Sequence, residues 1–149
     1  MNLIYDRTAE DVRTAREQRG KVLTPLKGCY NATDMNRVAA AVTEIAAELN
    51  SAGYAVTVNP RTYAESDIIR RSDFAAYLAD VQAIRDAISV RESTPELPSA
   101  ESKLDFGGAN DIERILADVA ELREWARFGQ KYCGTFAAGQ SVLPRKGTI

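Results

Sequence analysis

The residues whose types could do chemistry are few: two cysteines, some carboxylate pairs, one glycine pair and one arginine pair. The 149 residues include no histidine. That removes the commonest general base, the commonest metal ligand and the usual pH switch together. No serine or cysteine nucleophile can then belong to a histidine-based triad. Cys29 and Cys133 lie far apart and show no CxxC spacing, which argues against zinc. They read as two buried thiols, or as a disulfide in an oxidising compartment. Gly107-Gly108 precedes a helix but lacks the lysine and the spacing of a phosphate loop, so it reads as a turn. The pairs Asp111/Glu113 and Glu121/Glu124 lie on helices beside arginines and read as caps and solvated faces. Arg70-Arg71 could touch phosphate, but two arginines do not make a nucleic-acid footprint. These residue types predict no catalytic residues, no metal, no cofactor and no small-molecule substrate.

The elements that would position these groups are mainly helical. Tyr30–Tyr54 forms the central one. Met35, Val38, Val42, Ile45 and Leu49 recur in steps of three and four and mark one helical face. Thr33 stands as the expected N-cap, Asp34 faces the positive end of the helix dipole, and Gly53 follows as the C-cap. Alanines at 39, 40, 41, 46 and 47 let neighbours approach closely. Phe74, Tyr77, Val81, Ile84 and Ile88 repeat the pattern, with Ser66 or Ser72 as cap. Ile112, Ile115, Val119, Leu122 and Ala126 repeat it again, widened by Leu116 and Trp125. Asn110 and Glu113 suit a capping box for that last helix. A shorter surface helix over Ala9–Lys21 follows Thr8 and ends before Thr24-Pro25. Ala32–Val38 and Ala109–Ile115 are alike, through duplication or through convergence on the same cap and stripe.

Tyr54–Val58 alternates in the manner of a strand and ends at Asn59-Pro60. Its partner is Asn2–Tyr5, Ser141–Leu143 or a neighbouring subunit. Ser93–Ser102 carries two prolines and reads as a loop. From Tyr132 the chain has no acid and no helical period, yet it retains Tyr132, Phe136, Val142, Leu143 and Ile149. It reads as a solvated tail or as an extended arm that orders on a partner. Residues 131–149 carry three basic groups and no acidic one, against an overall net charge of −2. Such a basic end suits nucleic acid or the acidic surface of another copy, while the chain as a whole lacks the strongly basic balance of a nucleic-acid binder. No apolar run is long enough to span a bilayer, and the acidic residue at position 6 argues against a signal peptide.

The block Lys27–Val58, with Y-N-x-x-D-x-N-R-V and then L-N-x-x-G-Y, resembles one found in small proteins of Firmicutes phages and prophages. The opening Tyr5–Val12, the block Asp105–Leu116 and the glycine- and aromatic-rich Tyr132–Gly139 are similar to further parts of those proteins. Cys29, Cys133 and the Leu143–Ile149 end depart from the pattern. The resemblance implies a virion structural role among tail, baseplate or fibre-associated proteins and supplies no catalytic residues.

The reading is therefore a mainly α protein: a small antiparallel bundle of three to four helices over 1–131, with short extended or β segments and a C-terminal arm over 132–149. Its expected role is a non-enzymatic virion module, made in the host bacterial cytoplasm. Its expected partners are other virion proteins and copies of itself, with no membrane and no nucleic acid. The candidate interface residues are Tyr54, Val56, Val58, Trp125, Tyr132, Phe136, Val142 and Leu143. The alternative is a small helical regulator that binds DNA or a host protein.

Overall fold

A computed structural model describes residues 1–22 and 26–133, the last five as backbone only. Among the described residues four helices follow one another: α1 (Ala9–Gln18), α2 (Ala32–Ser51), α3 (Arg71–Asp86) and α4 (Phe106–Cys133). Helices α2, α3 and α4 each pack on the other two. Their apolar stripes supply most of the core: Val38, Val42, Ile45 and Leu49 meet Tyr77, Val81 and Ile84, and Ile112, Ile115, Leu116 and Val119.

The helix starts differ from the sequence expectation by up to five residues. Asn31, not Thr33, caps α2: its side chain accepts from the Thr33 and Asp34 backbone N–H groups, and Asp34 closes a capping box. Thr8 caps α1 as expected, with Asp11 completing the box. Neither serine caps α3; the Asp73 carboxylate instead accepts the Arg70 N–H at 3.0 Å. Helix α4 begins at Phe106, where the Asp105 carboxylate accepts the Gly108 N–H at 2.7 Å. Asn110 and Glu113 therefore lie inside the helix, freed from capping. Gly53, at φ 93°, takes the left-handed conformation expected at the end of α2.

The three packed helices run in the same direction, which corrects the antiparallel expectation. Two ladders of contacts fix this. Along the link 52–70, Asn50 of α2 bonds Val56 and Asn36 bonds Tyr63, so the link runs back against α2. The same link meets α3 through Arg61–Asp73 and then Asn59–Asp80, so it runs back against α3 too. Along the link 87–105, Arg91 meets Glu121, Thr94 meets Asp118 and Glu101 meets Arg71. It likewise opposes both α3 and α4. The physical reason is the length of the connections. Short turns would force antiparallel neighbours. Each link here has 19 residues. At about 3.3 Å per residue, such a link outreaches the roughly 30 Å of a 20-residue helix.

The expected strand 54–58 does not form; its backbone meets a side chain of α2 instead. The Val56 N–H donates to Asn50 Oδ1 at 2.8 Å, and Asn50 Nδ2 donates to the Val56 carbonyl at 2.9 Å. Asn36 brackets Tyr63 in the same way, at 2.8 Å each. A side-chain amide has the donor and acceptor of one peptide unit, so each asparagine stands in for a single rung of a β-ladder. Among the described residues no strand forms. Residues 2–5 do not pair with 54–58, and Ser141–Leu143 and the proposed C-terminal arm lie outside the described residues. Helix α4 runs on through Cys133, past the expected boundary at 131.

Candidate interaction site

The parallel arrangement gathers the starts of α2, α3 and α4 at one end of the bundle. There the N-terminal segment is tied down by a buried ionic cluster. Arg7, 4% exposed, donates through Nη2 to Glu113 at 2.8 Å and to Asp34 at 3.1 Å. Its Nη1 donates to the Ile4 carbonyl and its Nε to the Lys27 carbonyl. Arg37 reaches the same two acids, at 2.7 Å to Glu113 and 2.5 Å to Asp34. Burial opposes the Arg37 charge, but the hydrogen-bonded Glu113 and Asp34 carboxylates outweigh it and raise its pKa above the ordinary arginine value. Two cations and two anions balance, and the fully buried Glu113 also accepts the Ile4 N–H at 2.6 Å. Asn110 brackets Arg7 as Asn36 and Asn50 bracket the link, accepting from its N–H at 3.0 Å and donating to its carbonyl at 2.9 Å. Next to the cluster, Tyr30 and Tyr77 share a hydroxyl hydrogen bond of 2.5 Å.

These groups are consumed by one another, which makes the cluster a fastener. Glu113 and Asp34 each face two guanidinium groups. Residue order had assigned Asp34 to the helix dipole and Glu113 to a cap. A signal for Glu113 was present: Ala109, Glu113 and Leu116 follow in steps of four and three on the buried face of α4, and a carboxylate there requires a cationic partner. Arg7 had no comparable local signal. Among the described residues no group of three or more histidine, cysteine or acidic side chains could hold a metal ion.

The cluster anchors α1 against the start of α4, and a groove of about 910 Å³ opens between them. Val12, Tyr30, Leu104, Phe106 and Ala109 give it an apolar lining, with Arg13, Arg16 and Lys103 around it. Gly28 lies against α1 so closely that an added Cβ would stand 2.0 Å from the Asp11 carbonyl oxygen.

At the other end, α4 continues beyond its buried stripe, which stops at Val119. Every described side chain from Glu124 to Phe128 is exposed. Trp125 is 66% exposed and Phe128 51%, with the Arg91 guanidinium 5.9 Å from the Trp125 ring. Trp125 thus stands outside the core in which its place on the stripe had put it. Tyr54 is exposed, Val58 packs part-buried on the core, and Val56 belongs to the core itself. The side chain of Tyr132 and all of Phe136, Val142 and Leu143 lie outside the described residues. The eight candidate interface residues therefore do not form one described surface: Tyr54 and Trp125 offer surface, and Val56 does not. No helix among the described residues is long and apolar enough to cross a membrane. No family model, no curated protein and no solved structure matches this chain.

Proposed function

We propose that this protein is a non-enzymatic bacteriophage virion structural protein, a tail, baseplate or fibre-associated module that assembles with copies of itself and with other virion proteins. The virion assignment rests on the resemblance of residues 27–58 and 105–116 to small phage proteins. The assembly role rests on one observation above all: α4 carries Trp125 and Phe128, three residues apart on one helical face, beyond the bundle and into solvent. Large aromatic side chains of this kind are the usual anchors of protein interfaces. The polar groups best placed for chemistry are instead committed to ion pairs within the protein.

The test is the mass in solution by light scattering, for the full chain, for a chain ending at Lys131, and for Trp125→Ser/Phe128→Ser. The reading expects an oligomer that the double substitution dissociates. A monomer for the full chain at all concentrations overturns self-assembly.

A second reading, a helical regulator that binds DNA, draws on the exposed Arg70 and the basic residues 131–149. Salt-sensitive binding to duplex DNA would favour it, and no binding at low salt would remove it.

A further inference from the structure

We propose that the groove between α1 and α4 receives the Glu65–Ile69 turn of a second copy of this chain, with Ile68 seated on its apolar lining. This rests on the reading that the protein assembles with itself, and it names a contact separate from the aromatic end of α4.

Ile68 is 88% exposed, more than any other large apolar residue of the described chain, and Ile69 beside it is 38% exposed. The turn just before them is closed by two hydrogen bonds: the Asp67 N–H donates to the Ala64 carbonyl at 3.0 Å, and the Asp67 carboxylate accepts the Ala64 N–H at 2.8 Å. An isoleucine in solvent directly after a hydrogen-bonded turn forfeits the burial that isoleucine ordinarily gains.

The groove offers what this turn lacks. Leu104, Phe106 and Val12 supply apolar surface. Its cations suit the Glu65 and Asp67 carboxylates that precede the isoleucines, while of the two arginines that follow them Arg71 is paired with Glu101. Arg13 is already engaged with Glu10 at 2.6 Å, but Arg16 and Lys103 have no ion-pair partner among the described residues. Asp105, the one carboxylate lining the groove among the described residues, accepts the Gly108 N–H.

Placement fits a two-fold dimer. The Arg71–Glu101 pair, at 2.7 Å, ties the root of the turn to the stretch that carries Lys103. Turn and groove therefore stand at the same end of the bundle. A two-fold axis there lets each copy give its turn to the other's groove, so the contact is made twice.

Cys29 is exposed and lines the groove, which provides a direct probe. In a Cys133→Ala chain, Ile68→Cys is expected to form a disulfide-linked dimer under mild oxidation, because seating puts residue 68 in the groove that Cys29 lines, and a bridge needs Cα atoms on the order of 6 Å apart. Glu92→Cys, at the opposite end, is the control. Ile68→Cys cross-linking no faster than the control overturns the proposal. Without cysteine chemistry, Ile68→Asp or Arg16→Glu should weaken dimerisation about tenfold or more, and Glu65→Lys should restore part of the loss in Arg16→Glu. Affinities unchanged by all three substitutions overturn it equally. An oligomer that depends on Trp125 and Phe128 but gives no Ile68→Cys bridge removes the groove contact and leaves the assembly role standing. A strictly monomeric chain removes both.

Discussion

Arg7 and Glu113 stand 106 positions apart in the chain and meet at 2.8 Å with both side chains buried. That pair joins the N-terminal segment to the second turn of α4. Because Arg37 and Asp34 complete it, the start of α2 is locked into the same knot. Isolated buried ions are costly, whereas a balanced and hydrogen-bonded set is tolerated.

Removing one member should expose that cost. Glu113→Gln leaves Arg7 and Arg37 sharing only Asp34, and a loss of about 3–5 kcal/mol is expected. Urea unfolding measures it. An Arg7→Ala/Glu113→Ala double mutant should lose less than the two single losses added together. Strict additivity would mean that the pair is not coupled.

The asparagine brackets make a second prediction. Asn50→Ala strips the Val56 N–H and carbonyl of their partners, with an expected loss of about 1–3 kcal/mol. Amide exchange discriminates further. The Val56 and Tyr63 amides should be slow to exchange in the parent although they belong to no strand. Val56 alone should become fast in Asn50→Ala, and Tyr63 alone in Asn36→Ala. Fast exchange at both sites in the parent would refute the bracket.

Gly28 is required by proximity. Its φ is not positive, so alanine has no backbone penalty there, but the new Cβ would overlap the α1 backbone. Gly28→Ala should displace α1 while leaving the bundle folded, at a cost of about 1–3 kcal/mol. Limited proteolysis should cut within residues 9–22 first. Gly20→Ala, with open space around it but a φ of 77°, should show only a smaller, conformational loss.

The tyrosine pair predicts alkaline sensitivity. Burial, foremost, holds the Tyr30 and Tyr77 hydroxyls above the ordinary tyrosine value. The folded protein therefore keeps these protons where the unfolded chain releases them. The resulting stability is fully present below about pH 10 and is lost as pH rises beyond it. Tyrosinate absorbance should show these two groups titrating last, together with unfolding. Tyr77→Phe should flatten the alkaline loss.

Trp125 is the only tryptophan, so its fluorescence reports on the α4 end alone. In dilute solution it should be readily quenched by iodide. As concentration rises and copies associate there, quenching should fall and emission should shift to the blue. A signal independent of concentration, alongside a rising mass, would place the contact elsewhere.

The stripes, the Thr8 cap and the Gly53 stop were legible in the sequence because they depend on residues three or four positions apart. The alternation of 54–58 belongs to the segment itself, but no strand forms there among the described residues. The caps of α2 and α4 were misplaced by two and five residues. Asn31 and Thr33, like Asp105 and Asn110, are equivalent in type, and only the course of the preceding chain selects between them.

The sequence by itself determined that this chain is mainly helical and where most of its apolar faces lie. Both follow from hydrogen bonds and spacings that close within one or two turns. Tertiary structure alone decided the rest: that the three helices run parallel, that asparagines replace a sheet, that Trp125 projects into solvent, and that Arg7 meets Glu113. The reason is physical. A 19-residue link permits either helix direction, and a charged side chain has no local preference for a partner a hundred residues away. Those choices depend on which buried groups find compensation when the whole core closes.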